Sequence, residues 1–250
     1  MTVSLVLVLG GTTEARKIAD IVEQAEGLRA LYSLAGVTKT PVLPSCEVRI
    51  GGFGGVSGLA TFMKANRVSA LIDATHPYAA TISNNAVQAA NSTQTPFLRY
   101  ERAQWKANNQ DKWQSFETVG AAAKSLPQNG SKVFLAIGKK EISPFKTNIK
   151  DHFIIRSVED IDNKELPPNA QVILDRGPFD LSAERTLLLA REIDLLVCKN
   201  SGGTASFAKL EACRELNIKV LMVKRPELFD APTFNDIDEV LPALRAALSS

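Results

Sequence analysis

A chain of 250 residues with 45% hydrophobic and 22% charged residues can bury a full core, which excludes an intrinsically disordered protein. Its formal net charge of +2 gives no general attraction for nucleic acid, so no nucleic-acid partner is expected and any basic patch is local. No apolar run approaches the roughly 18 residues of a membrane helix, so no membrane partner is expected either.

Cys46, Cys198 and Cys213 are odd in number, widely spaced and free of any C-x-x-C pattern, and they read as reduced thiols of a cytoplasmic protein. His76 and His152 are the two histidines, too few to expect a zinc site, so the metal expectation is none.

Residues 3–9 form an uninterrupted apolar run that suits a central parallel strand covered on both faces. The run lacks a basic leader and passes straight into two glycines and a charged helix, unlike a secretory signal. Gly10, Gly11, Thr12 and Thr13 follow, then a helix from residue 14 with Ala15, Ile18, Ala19 and Val22 on one face. A strand, a glycine turn and a helix start make an anion site, because unpaired N–H groups and the helix dipole face the strand's end. Taken alone, the turn admits both a phosphate loop and a purely structural role. It is not the G-x-G-x-x-G fingerprint.

Further strands are predicted at 30–36, 47–50, 70–75 and 95–100, with helices at 57–66 and 79–90. Residues 106–131 are polar, with a short helix near 121–126, and read as a crossover. The order then repeats. A strand–turn–helix unit opens at 132–138, strands follow at 152–157, 172–179, 195–203 and 219–226, and the last helix covers 237–248. The expected fold class is therefore α/β, with two Rossmann-like domains whose parallel sheets face each other across a cleft. The expected boundaries are a coenzyme domain at 1–105, the crossover at 106–131 and a substrate domain at 132–250.

Glycine and hydroxyl residues mark the loop ends of the first half. Gly10, Gly11, Thr12, Thr13, Ser33, Gly36, Thr38, Gly52, Phe53 and Gly54 are its candidate nucleotide contacts. Residues 51–55 hold four glycines, more than one turn requires. Cations mark the second half's loop ends: Lys139, Arg176 and Lys199, with Ser201 and Gly202 beside the last. Arg99 and Arg102 arrive from the first half's last strand, and together these residues would suit a polyanion. His76, after the strand at 70–75, is a candidate general acid or ligand donor. The plainer alternative is that Asp73 or Thr75 caps the next helix and His76 packs there.

Seven motifs in this order resemble the precorrin-6A reductase family, NAD(P)H-dependent enzymes of cobalamin biosynthesis. They are Gly-Gly-Thr-Thr-Glu-Ala-Arg (10–16), Ser-Leu-Ala-Gly (33–36), Gly-Gly-Phe-Gly-Gly (51–55), Asp-Ala-Thr-His-Pro-Tyr-Ala (73–79), Arg-Tyr-Glu-Arg (99–102), Arg-Gly-Pro-Phe (176–179) and Lys-Asn-Ser-Gly-Gly (199–203). The resemblance implies two Rossmann-like domains with exchanged terminal strands, one for coenzyme and one for a tetrapyrrole. It also implies hydride addition to C19 and protonation at C18 of precorrin-6A, giving precorrin-6B, with the pathway's next enzyme as a candidate partner. NADPH is favoured over NADH because no acidic residue ends the 30–36 strand. Two positions depart from the family pattern: Val37 replaces an Arg, and Lys139 keeps the charge of a frequent Arg without its bidentate geometry.

Two rivals stand beside this reading. A short-chain reductase or epimerase needs Tyr-x-x-x-Lys, but Tyr32, Tyr78 and Tyr100 are followed four residues on by Gly36, Ile82 and Gln104. A non-catalytic nucleotide sensor would need no reactive side chain.

Overall fold

A computed structural model describes residues 3–36 and 41–249. They divide into two units, Met1–Arg102 with Pro226–Ser250, and Ala103–Arg225.

Unit 1 contains β1 (Ser4–Leu9), α1 (Thr13–Gln24), β2 (Leu28–Leu34), β3 (Glu47–Ile50), α2 (Gly55–Ala65), β4 (Val68–Asp73), α3 (Ala80–Thr93) and β5 (Phe97–Tyr100). Its sheet includes a short last strand, β12 (Thr233–Phe234), and runs β12-β5-β4-β1-β2-β3, all parallel. The apolar run in β1 is central, as its composition dictates. Val6 and Val8 pack with Ile18 and Val22 of α1 on one face, while Leu5, Leu7 and Leu9 meet Leu59 and Met63 of α2 on the other. Helix α1 starts at Thr13, one residue before the expected position, because the Thr12 hydroxyl accepts from Ala15 N–H, and its stripe at 15, 18, 19 and 22 is fully buried.

Unit 2 contains β6 (Trp113–Phe116), α4 (Val119–Lys124), β7 (Lys132–Ala136), β8 (His152–Ser157), β9 (Ala170–Leu174), α5 (Leu181–Ala190), β10 (Leu195–Lys199), α6 (Ala208–Glu215) and β11 (Lys219–Val223). Its sheet runs β6-β11-β10-β7-β8-β9, again parallel. Both sheets thus place a central strand next to a crossover that reverses strand order, the arrangement that opens a crevice at the strand ends.

The expected boundaries are corrected at two places. The 106–131 stretch is part of unit 2, because β6 pairs with β11 in the register Trp113 to Val220. The last 25 residues return to unit 1 as β12 and α7 (Val240–Leu248). Arg99 N–H donates to Pro232 O and Glu101 N–H to Phe234 O, while Phe234, Val240 and Leu244 complete the core beside α1. Unit 1 therefore takes its sixth strand, β12, from after unit 2 in the chain, while β6, the strand that follows β5, joins the sheet of unit 2; this matches the exchange of terminal strands that the resemblance implied.

A third correction lies after β7, where a helix was expected. Two short 3₁₀ turns, Lys139–Glu141 and Ser143–Phe145, replace it. Pro144 cannot donate an N–H and disfavours α geometry at Ser143, and Phe145 is buried against the Phe153 ring. No helix among the described residues is long and apolar enough to cross a membrane.

Candidate functional site

In unit 1 the strand order reverses between β1 and β4, and the loops after these two strands are fastened together. Ala74 N–H donates to Leu9 O at 3.0 Å, and the Thr12 hydroxyl donates to Ala74 O at 3.0 Å. Gly10 N–H donates to Ser33 O, which brings the end of β2 to the same place. Gly10, Gly11, Thr12, Thr13, Ser33 and the 73–79 loop are therefore neighbours. The Ser33 side chain is buried, so it offers its carbonyl to Gly10 rather than a hydroxyl to a ligand.

The glycine turn rests on a residue that pattern reading passed over. The Tyr32 hydroxyl accepts from Gly11 N–H at 2.9 Å, and a Cβ on Gly10 would stand 2.2 Å from the Tyr32 ring. Burial raises the Tyr32 phenol above its ordinary value, so it stays protonated at neutral pH. Its signal was present as an aromatic residue in a strand of small and aliphatic ones, but only the register with β1 gives it meaning. Gly11 has φ of +117° with open space where a side chain would be, so the backbone there can be approached closely.

Gly36 closes the end of β2, and Thr38 and Val37 lie outside the described residues. In the loop containing Gly52, Phe53 and Gly54, backbone shape accounts for much of the glycine. Gly51, Gly54 and Gly55 all have positive φ, and Gly54 caps α2. Arg49, also unremarked in the sequence reading, braces this loop by donating to the carbonyls of Gly51 and Gly52 while its guanidinium lies 4.0 Å over the Phe53 ring. The signal for Arg49 was its place two residues before the loop.

His76 is half-buried, and its Nδ1 accepts from Tyr78 N–H at 3.3 Å, which places the proton of a neutral ring on Nε2. Asp73 does not cap α3; its Oδ1 takes Thr75 N–H and the Thr75 hydroxyl. Arg99 is buried beside Asp73 and donates to Phe229 O at 2.9 Å. These partners give the Arg99 guanidinium a structural role in unit 1, and its expected contact with a substrate carboxylate is a separate proposal. Arg102 lies 3.8 Å from Glu14 in the first turn of α1.

In unit 2, Lys139 pairs with Glu159 at 2.6 Å and Lys199 with Glu141 at 3.0 Å. Lys139, Lys140, Ser143, Lys146, Asp160 and Glu165 line a cavity of about 490 Å³ beside the turns after β7. Arg176 is exposed at the end of β9. The loop of Ser201 and Gly202 is tied inward: the Asn200 side chain accepts from Trp105 N–H and donates to Trp105 O, and the indole donates to Gly203 O. A Cβ on Gly202 would lie 2.3 Å from Ala103 O, so its glycine is required by close packing as well as by φ of +67°. Lys209, at the start of α6, is buried over the Trp105 ring at 4.8 Å. Among the described residues, no group of three His, Cys, Asp or Glu side chains is placed to hold a metal ion.

The family model described as precorrin-6x reductase CbiJ/CobK matches residues 5–245. The chain belongs to the precorrin-6x reductase family. It is 41% identical over 239 residues to the precorrin-6A reductase of Rhodococcus erythropolis, covering 96% of this chain and 95% of the relative. The cobalt-precorrin-6A reductase of Priestia megaterium is 28% identical over 251 residues, covering 96% and 98%. The solved structure of a CobK precorrin-6A reductase matches with a TM-score of 0.92 at 38% identity, covering 98% of this chain and 97% of that one. The precorrin-6x reductase fold is thus shared over essentially the whole chain.

Proposed function

We propose that this chain reduces the precorrin-6A macrocycle at the expense of a reduced nicotinamide coenzyme, as one step of cobalamin biosynthesis. The observation that carries the reading is the Gly10–Thr13 turn, fastened by Thr12 to Ala74 at the point of strand reversal, in a member of the precorrin-6x reductase family. The residues suit a dinucleotide. The N-terminal amides of α1, Gly11 with open space beside it and the Thr12–Thr13 pair form an anion cradle for a pyrophosphate. Gly36 and the loop of Gly52, Phe53 and Gly54 extend that wall, Ser33 supports it from beneath through its carbonyl, and Thr38 stays a candidate by sequence alone.

When bound, the coenzyme would supply the hydride, directed to C19. His76 is the candidate proton donor for C18, a role for its cationic form, in which Nδ1 carries a proton and releases the bond from Tyr78 N–H. Arg102, Lys139, Arg176, Lys199, Ser201 and Gly202 are assigned to the acetate and propionate groups of the tetrapyrrole. Charge-assisted contacts of that kind contribute about 1.5–3 kcal/mol each. NADPH is the preferred coenzyme, because no acidic side chain closes β2 to take a ribose hydroxyl. The cobalt-free substrate is favoured over the cobalt form, since identity is 41% to a precorrin-6A reductase against 28% to a cobalt-precorrin-6A reductase. Cytoplasmic location and transfer of the product to the pathway's next enzyme belong to the same proposal.

The test is direct. The protein is mixed with NADPH and precorrin-6A, and absorbance at the nicotinamide band is followed beside reactions with NADH and with the cobalt substrate. Consumption of NADPH with precorrin-6A supports the reading. A protein that binds coenzyme and consumes none with either macrocycle is a sensor instead.

A further inference from the structure

The Arg-Gly-Pro-Phe loop (176–179) follows β9, and its phenylalanine has no part in the function described so far. The Phe179 ring lies 4.0 Å from the Arg156 guanidinium, whose other neighbour is the Phe134 ring of β7 at 5.0 Å. The cation is thus held between two aromatic rings, one in the sheet and one in the loop. Its Nη1 donates to Glu184 Oε1 at 2.5 Å from the first turn of α5, and the two side chains are 9% and 1% exposed.

This pair is a poor way to gain stability. Arg156 Nε and Glu184 Oε2 are buried without a hydrogen-bond partner. Replacing such a pair by apolar side chains is often neutral or stabilising, because desolvation of both charges is removed. What an apolar pair would not supply is a flat cation under Phe179. The loop is shaped to use it. Gly177 has no side chain where a Cβ would press within 3.1 Å of the Phe179 ring, and Phe179 N–H reaches Ala205 O at 3.4 Å. Arg176 is held three residues from this anchor, exposed at the strand end.

We infer that Arg156, oriented by Glu184, is a positioning residue: it clamps the 176–179 loop through Phe179 and so sets the pose in which Arg176 meets a substrate carboxylate. The second half of that statement rests on the proposed role of Arg176; the clamp itself does not.

The clamp and its use are tested separately. Without any substrate, trypsin cleavage is followed at the Arg176–Gly177 bond inside the loop and at Arg185, on the helix that the loop leads into. Phe179→Leu keeps the apolar volume and loses the ring face, and Phe179→Tyr restores the face. Arg156→Met combined with Glu184→Met removes the cation without leaving a buried lone charge. The Phe179→Leu protein and the double variant should be cut several-fold faster than the protein with the clamp intact, with Phe179→Tyr at the intact rate. In kinetics, both should raise KM for the tetrapyrrole about three- to tenfold, with kcat, coenzyme Kd and Tm little changed. Combined with Arg176→Ala, Phe179→Leu should add nothing further to KM, because it acts through Arg176. Unchanged cleavage rates in both variants would overturn the clamp. Faster cleavage with unchanged KM, while Arg176→Ala alone raises KM, would overturn its role in positioning. If Arg176→Ala leaves KM unchanged, the assignment of Arg176 to substrate fails and the positioning role falls with it, whereas the cleavage rates still decide the clamp.

Discussion

Arg99 and Asp73 stand side by side on neighbouring strands, with Arg99 Nε 3.6 Å from Asp73 Oδ2 and only 6% and 2% of the two side chains exposed. Asp73 already spends its other oxygen on Thr75, so Arg99 is the charge that balances it. Removing the cation leaves a buried carboxylate uncompensated, which costs about 3–5 kcal/mol. Arg99→Ala should therefore lower the denaturant midpoint sharply, and its activity loss should track unfolded protein. A fully stable variant with raised KM for the tetrapyrrole would return Arg99 to the substrate wall.

The Tyr32–Gly11 contact makes a different kind of prediction. Tyr32→Phe deletes one hydrogen bond worth about 0.5–1.5 kcal/mol and leaves the ring in place under Gly10. Coenzyme Kd should rise by a few-fold while KM for the tetrapyrrole stays put. Gly10→Ala should be worse in both stability and coenzyme binding, because its Cβ would drive into that ring. Isothermal titration with the coenzyme and a thermal melt separate the two variants. Equal coenzyme affinity in both and wild type would remove the glycine turn from the coenzyme site.

The contrast between these two sites shows what a sequence can and cannot reveal. The central strand, α1 with its buried stripe and the α/β alternation were legible because each is a local pattern with a local cause, whereas the Thr12 cap emerged only in the structure. β6 and β12 were not. Trp113–Phe116 is four residues in a polar stretch and Thr233–Phe234 is two, too short for periodicity, and both exist through pairing with strands far along the chain. Loop ends rich in glycine or cations were found, but their side-chain partners were not. Arg99 stands among the expected substrate anchors because nothing local announces that Asp73 is adjacent in the sheet. Glycines 51, 54 and 55 read as excess until their positive φ values were known.

Lys209 supplies a pH test. Burial pushes its ammonium below the ordinary lysine value, with Cys198 and Glu184 pushing back. The unfolded chain keeps its lysine proton up to about pH 10.4. Between the folded and unfolded values the unfolded state binds more protons, so this group makes stability rise with pH. The thiols act in the opposite sense, since burial pushes Cys198 up to about 11 and Cys213 up as well. Lys209→Met isolates the lysine. Wild type should gain on the variant in unfolding free energy as pH is raised from about 7 towards 10, measured by urea titration under reducing conditions. A constant difference across that range would mean that Lys209 keeps its proton in the folded protein.

The last prediction turns on a competition inside unit 2. Lys199 is 13% exposed and donates to Glu141, itself 41% exposed, at 3.0 Å. If Lys199 takes a substrate carboxylate, that carboxylate and Glu141 contend for one ammonium. The two partners then have opposite effects on the same constant. Lys199→Ala removes the contact and should raise KM for the tetrapyrrole about ten- to a hundredfold, with kcat little changed if binding is uniform. Glu141→Gln keeps the shape, removes the rival charge and should lower KM. The gain is bounded by the worth of a partly exposed ion pair, about 0.2–1 kcal/mol, or roughly 1.5- to fivefold. Lys139 and Glu159 form the same kind of pair and should behave in the same way, with a larger gain on removing Glu159 because that carboxylate is less exposed and closer, hence the stronger rival. Steady-state kinetics on the four single variants, at fixed saturating coenzyme, reads out both signs. A rise in KM for both members of a pair would show that lysine and glutamate hold the loop together as a unit. In that case the carboxylate contacts must be sought among Arg102 and Arg176.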